Sequence, residues 1–397
     1  MVDGLRIAIA GGSVGGLTAA CLLREAGHDV TIFERSSREL EQRGAGIGFL
    51  EAAARYLVSR AGVDIDAISI TTPFIRYLGR RNNVLHEQTH RYRFSSWNTV
   101  YRNLLTAHGP TGYQLGAELC DWDTDAGGVT VRFTDGSECH ADLLLCADGV
   151  GSTSRARLLP ACKANYAGYV AWRGMVPEAS LPDALSARLT EAITYNVSAN
   201  SHILVYPIPA LDGSVKPGER LINFVWYRNY LDGDELADLL TDADGELRDL
   251  SVPPGKMAPH HVAEARAYAA ARLPKDIATV VCSASDPFIQ VVYDIEVERM
   301  VFGRVCLLGD AAFVARPHAA AGTAKAAEDG WQLACALAGA ESLEAGLRTW
   351  EARQLELGHD LVRRARAIGE RSQTLNSWVA GDPELLFGLY RAGDAGA

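Results

Sequence analysis

The first 35 residues constrain the fold more than any other part of the chain. "RIAIAGG" (6–12) is a short, unbroken apolar run that ends in glycines. "GGLTAACLLREAG" (15–27) has helix formers at apolar spacing and a stopping Gly27, and "DVTIFER" (29–35) returns to strand character. Strand, glycine turn, helix and strand within about 30 residues make a βαβ unit, so the chain begins on a parallel sheet. "GGSVGG" (11–16) sits between strand and helix, where a dinucleotide fingerprint belongs. Gly11 permits the tight turn and Gly16 lets the helix pack closely on the strand. Ser13 keeps a small residue where the middle glycine is usual. The free N–H groups that open the helix at Val14 and Gly15 can hold a pyrophosphate. Glu34 closes the second strand, placed to accept hydrogen bonds from a ribose, with Arg35 beside it.

Further along, "GGVTVRFTDGSECHADLLLCADG" (127–149) reads as a hairpin with an Asp-Gly turn, then a buried strand aimed at a second glycine turn. Residues 166–230 are rich in aromatic and β-branched runs, as expected for an antiparallel sheet with solvent on one side. Residues 233–280 read as mostly helical, 304–313 as another buried strand, and 323–371 as helical almost throughout. α/β material, a β-rich insertion and a return to α/β imply two interwoven units. One unit is expected to take residues 1–70, 98–165 and 287–397, the other 71–97 and 166–286.

Three further stretches carry functional signals. "RGAGIGF" (43–49) has three glycines in five residues, which suits backbone lying flat on a ring system and makes Arg43, Gly46 and Ile47 candidate contacts. A flexible loop would explain it equally well. "DGVGSTSR" (148–155) could be a plain turn and helix cap, yet a buried strand points straight at it. "LLGDAAFVARPHAAAG" (307–322) ends a strand on Asp310, then follows Pro317 and His318 with a run of small residues.

These three motifs, a GxGxxG-like turn, DGxxSxxR and GD…P…G, taken in this order, resemble the single-component FAD-dependent aromatic hydroxylases over nearly the whole chain. The resemblance implies an α/β fold: a Rossmann-like FAD-binding domain of the p-hydroxybenzoate hydroxylase type, an inserted antiparallel β-sheet substrate domain and C-terminal helices. It implies FAD as cofactor, NAD(P)H as a transient reductant, and O2 delivered to an electron-rich ring through a flavin C4a-hydroperoxide. It places Gly11 to Gly16 on the pyrophosphate, Glu34 on the adenosine ribose, Arg102 beside the flavin phosphates and Leu119 near the adenine. Asp148 and Gly149 belong to its second FAD motif, and Asp310 to the ribityl chain. Pro317, His318, Ala320, Ala321 and Gly322 then border the isoalloxazine, with backbone N–H groups stabilising negative charge there and His318 a candidate acid or base. Tyr195, Tyr206, Phe224, Trp226 and Tyr227, on strands expected to cover the flavin, form a group of which some are expected to line the ring slot, with Tyr206, Phe224 and Trp226, and His202 beside them, as the candidates.

Two departures sharpen this picture. Phe313 stands where many members have His, and Ala320, Ala321 and Gly322 stand where many have Gly-Gln-Gly. "ARPHAAAG", "YAGYVAWRG" (166–174) and "YPIP" (206–209) resemble the branch that hydroxylates hydroxypyridines, so such a ring is the expected substrate. A flavin halogenase would want a WxWxIP element, whereas the nearest stretch, "AWRGMVP", has one Trp. A non-catalytic FAD-binding protein is the alternative of another class.

Composition narrows the partners. A net charge of −11 without a block of like charges argues against nucleic acid or an anionic membrane as the main partner. No run reaches the roughly 18 apolar residues of a membrane span. The eight scattered cysteines include no CxxC pair, so neither a zinc site nor a disulfide framework is expected, and a cytoplasmic setting fits. No metal is expected, and a homodimer is left open.

Overall fold

The structure, a computed structural model, describes residues 2, 4–40 and 45–394. Arg43 lies outside the described residues. The opening strand Arg6–Ala10 pairs in parallel with Asp29–Glu34 on one side and Leu143–Cys146 on the other. Leu143–Cys146 continues in parallel to Val305–Leu307. Tyr113–Leu115 and an antiparallel Val301–Phe302 complete a six-stranded sheet. The register sets Ala10 opposite Cys146 and Cys146 opposite Leu307, so three strands end side by side.

Both faces of this sheet are covered, which is why its strands read as continuous apolar runs. The helices Val14–Glu25 and Gly322–Ala338 pack together on one face. A Cβ on Gly330 would stand 2.9 Å from Ala19 Cα, so only glycine allows that approach. Beneath the other face lies a three-stranded sheet, Leu119–Thr124, Val129–Phe133 and Glu138–Ala141, with the Phe33 and Phe133 rings 4.4 Å apart.

The second layer is a nine-stranded sheet, antiparallel except where Ala192–Ser198 runs parallel to Ile70–Leu78. It takes in Gly46–Gly48 and Phe288–Asp294, both of which were expected in the cofactor unit. The expected solvent face is also absent, since Ser201–Ile208 is buried along its whole length. Helices Asp183–Thr190, Asp234–Leu240, Pro259–Arg272 and Lys275–Ser283 cover the outer side. There Ile203, Val205, Phe224 and Trp226 join Leu236, Leu239 and Ile277 in a second core. The inner side, with Leu204, Tyr206, Val225 and Tyr227, faces the first core. The long helix Leu343–Gln373 packs across both layers. Among the described residues no helix is long and apolar enough to cross a membrane.

Gly11 turns the chain at φ +110°, and a Cβ there would lie 2.2 Å from the Ala147 carbonyl oxygen. Gly11→Ala should therefore cost about 3 kcal/mol or more. In Gly15→Ala the closest contacts are side-chain carbons at 3.2 Å, with the Ala326 carbonyl oxygen at an ordinary 3.6 Å, so the change should cost clearly less. Paired thermal melts check this, and equal Tm values in the two variants would contradict the geometry.

Candidate active site

The first motif builds a phosphate-ready helix start. Ser13 is the N-cap residue, and the orphan N–H groups of the helix open toward the strand ends. The buried Glu34 carboxylate accepts from Gly12 N–H at 2.9 Å and from Ser36 N–H at 2.8 Å, one bond to each oxygen. Each oxygen keeps a lone pair for a ribose hydroxyl. The Tyr113 hydroxyl donates to the Gly12 carbonyl at 2.9 Å, which holds the turn open.

Between the strand ends and the inner side of the large sheet lies a cavity of about 580 Å3, a size usual for small-molecule sites. Gly46, Ile47 and Gly48 form one wall. Val150 and Asp310, then Ala315, Pro317 and Ala320 to Thr323, form the floor. Arg173, Leu204, Tyr206, Val225, Tyr227, Gln290 and Val292 come from the sheet, with Phe94, Trp97 and Phe387 closing the end. Tyr206 stacks on Phe94 with ring centroids 4.3 Å apart and donates its hydroxyl to the Gly46 carbonyl at 3.0 Å.

Asp310 reaches this cavity from the turn after Val305–Leu307. Desolvation pushes its carboxyl up from 3.8 to about 6, and Asp329 adds to the rise while Lys325 and Arg155 oppose it. Arg155, itself buried, donates to the carbonyls of Ala311 and Val150, so the second and third motifs are tied together by one guanidinium. Lys325 pairs with Asp329 at 2.7 Å, and the same Asp329 oxygen accepts from Gly309 N–H at 2.8 Å.

The segment 315–322 is held from behind. Arg316 binds both oxygens of buried Asp294 at 2.8–3.1 Å, and Arg366 of the long helix donates to the same carboxylate at 3.0 Å. Ala320 is forced into the left-handed region at φ 54°, a conformation that costs a non-glycine residue energy and marks a shaped site. Helix Gly322–Ala338 then starts on the cavity wall, its first N–H groups lacking intrahelical acceptors. A Cβ on Gly322 would meet nothing within 4 Å.

Of the residues anticipated from sequence, Gly46, Ile47, Tyr206, Asp310, Pro317, Ala320, Ala321 and Gly322 come together on the cavity. His318 does not line it. The short 3-10 turn Pro317–Ala319 sends its ring backward, where Nε2 meets the Tyr169 hydroxyl at 2.7 Å and Gly369 leaves it room. Burial, with His202 and Arg316 nearby, keeps its pKa well below the ordinary value, so it is a neutral packing group. His202 sits behind the wall too, bonded to Gln373 at 3.1 Å and pushed down to about 3 by burial.

Phe224 and Trp226 are corrected as well. They point to the outer core, and alternation gives the cavity Val225 and Tyr227 instead. Asp148 accepts from Ser152 and Ser154 and so shapes its own turn, with Gly149 at φ +80°. Leu119 stands on the three-stranded sheet, and Arg35 and Arg102 are exposed, away from the cavity wall. Arg173, Gln290 and Phe387 were not anticipated.

The residues fit FAD: a ribose-ready Glu34, a carboxylate at the floor, and open space at Gly322 where a flat ring would lie. Between pH 3.8 and about 6 folded Asp310 binds more protons than unfolded Asp310, so its contribution to stability falls as pH rises through that window. Asp310→Asn should raise the apoprotein Tm at neutral pH and flatten this pH dependence. The same variant should weaken FAD binding about 10- to 100-fold through the lost charge-assisted hydrogen bond. Melts against pH and flavin titration check both. Gly322→Val should fold with near-normal Tm yet lose flavin occupancy or most hydroxylation. Normal occupancy and turnover in that variant would contradict the placement of the ring.

Comparison with known proteins agrees with this geometry. The FAD binding domain family matches residues 5–228 and 261–365, and an FAD binding domain-like family matches 166–294. The 2,6-dihydroxypyridine 3-monooxygenase of Paenarthrobacter nicotinovorans is 37% identical over 388 residues, covering 97% of this chain and 96% of that protein. The 3-amino-4-hydroxybenzoate 2-monooxygenase of Streptomyces cremeus is 29% identical over 93% of this chain and 88% of its own. Among solved structures, 2,6-dihydroxypyridine-3-hydroxylase from Arthrobacter nicotinovorans superposes with a TM-score of 0.92 at 36% identity, covering 99% and 98% of the two chains. Klebsiella pneumoniae HpxO, complexed with FAD and uric acid, gives a TM-score of 0.77 at 25% identity over 96% and 90%. With the glycine turn and Glu34 at the ends of the first two strands and Asp310 on the cavity floor, the chain belongs to the FAD binding domain family and is an FAD-dependent monooxygenase.

Proposed function

We propose that this enzyme adds one hydroxyl to an already hydroxylated nitrogen heteroaromatic ring of the dihydroxypyridine kind, with NAD(P)H as reductant and O2 as oxygen source. The observation that carries this reading is the shape of the cavity beside the chemistry of its relatives. A slot of about 580 Å3, shared with a flavin ring, leaves room for one small flat ring between Pro317–Gly322 and Leu204, Val225 and Tyr227. FAD, when bound, supplies the redox chemistry that moves electrons from NAD(P)H to oxygen.

The chain supplies position, charge and dryness. Glu34 and the helix start at Val14 hold the adenosine and pyrophosphate half. Asp310 anchors the middle of the cofactor, and the N–H groups that open helix Gly322–Ala338 stabilise negative charge at the nearby ring edge. The nine-stranded sheet acts as the substrate-binding unit, presenting the ring to the floor and excluding water with Phe94, Tyr206 and Phe387. Asp148 and Gly149 shape the turn that puts Val150 on the wall. His318 acts as a positioning residue, locking Pro317 through Tyr169. The halogenase reading has no counterpart among the relatives reported above, and a non-catalytic FAD-binding protein would show no substrate-stimulated NAD(P)H oxidation.

Purified protein should be yellow and release FAD, not FMN, on acid treatment. NAD(P)H oxidation should rise at least about 10-fold with 2,6-dihydroxypyridine, and the product should carry one added oxygen atom by mass. Released FMN, or oxidation indifferent to every hydroxypyridine and phenol in a panel, would overturn the reading.

A further inference from the structure

Among the described residues Arg173 is the only cation that lines the cavity, and none of its described partners is an anion. It stands on strand Asn165–Pro177 and lines the cavity with Ala171. Its Nη1 donates to Gln290 Oε1 at 2.8 Å and its Nη2 to the Gly46 carbonyl at 2.6 Å, both neutral acceptors. Its Nε is buried and has no hydrogen-bond partner among the described residues. Gln290, another lining residue, spends its side-chain carbonyl oxygen on Arg173, so only the NH2 donors of that amide are left for a ligand. Asn223 Nδ2, which belongs to the side chain that accepts from Gly46 N–H at 3.1 Å, is a second buried donor without a partner. A half-buried guanidinium with neutral partners and one buried N–H left unpaired is best satisfied by a ligand that brings negative charge and acceptor oxygens.

Among the described residues the same wall offers no free base to the ligand: its titratable side chains are Arg173, Tyr206, Tyr227, Tyr293 and Asp310. The tyrosines are held protonated by burial, and Asp310 is committed to the cofactor side of the floor. His318 and His202 lie behind the wall.

We propose that Arg173 is the anion anchor of this site: it selects the ring already ionised, with its hydroxyl proton left in bulk water, and holds the resulting oxyanion with the help of the Gln290 amide. This deepens the proposed function and rests on it. An anionic ring is richer in electrons at carbon than its neutral form, so the selection favours the form that accepts electrophilic oxygen. Arg173 thus sets specificity by charge rather than by shape.

The test is calorimetric binding to the FAD-loaded enzyme without NAD(P)H, so that nothing turns over. The two probes are 2,6-dihydroxypyridine, at a pH above the ring's own pKa, and 2,6-dimethoxypyridine, which has the same ring but cannot ionise. Wild type should bind the ionised ring at least about 10-fold more tightly than the dimethoxy ring. Arg173→Gln should weaken only the ionised ring, by about 10- to 100-fold, with FAD content unchanged. Arg173→Lys should restore part of the preference, because the charge returns without the planar fork. A residue that merely braced Gly46 would weaken both probes together, and an unchanged ratio in Arg173→Gln or Arg173→Lys overturns the proposal. If wild type turns over 2,6-dihydroxypyridine but holds both probes equally, the anchor fails and the function stands. If wild type binds neither probe, both fail.

Discussion

Three parallel strands that end in register are the constraint on which the rest depends. Ala10, Cys146 and Leu307 lie side by side across the sheet, and each is followed by a turn bearing one of the three motifs. In open parallel sheets ligands bind beyond the carboxyl ends of the strands, because the loops there converge while the strands themselves are sealed by helices. Residues separated by more than a hundred positions thus share one cleft. Arg155 reinforces the convergence from within, and Asp294, gripped by Arg316 and Arg366, sets the height of the floor.

What could be read from the sequence follows from this geometry. Gly11 and Gly16 were legible because each has a backbone reason to be glycine: a Cβ would strike Ala147 in one case and Gly11 in the other. Asp310 was legible as an acid at the end of a buried strand. The choice between Phe224 and Val225, or Trp226 and Tyr227, was not. A strand buried on both faces carries apolar residues at every position, so its alternation has no readable phase. His318 misled because adjacency to a motif does not fix direction, and the 3-10 turn reverses it. Arg173 was not marked because a charged residue on a sheet expected to face solvent on one side reads as exposed, whereas that side faces the cavity. Phe387 reaches the cavity from the far end of the chain, and nothing local marks it.

Several features of the cavity work against the stability of the empty protein. Asp310 is ionised at neutral pH at some cost, Ala320 sits in a left-handed conformation, and Arg173 buries an Nε without a partner among the described residues. None of these would survive selection for packing alone. They are tolerable because a large core on one side of the sheet and a second on the other over-determine the positions of the strands. Such a protein gains much of its working stability when its ligands arrive.

The interleaved strand order has a consequence for how the protein is made. During translation the strand Arg6–Ala10 emerges first, but its neighbour Leu143–Cys146 follows far later, and Val305–Leu307 only after most of the chain has left the ribosome. Until then the nascent sheet carries an open edge of the kind that invites wrong pairings, and the large sheet cannot close before Phe288–Asp294 joins it. Loading of the cofactor must therefore come late, after Gly322–Ala338 docks on Val14–Glu25. Chaperone demand and cofactor supply would then govern the yield of active protein more than the strength of any single contact.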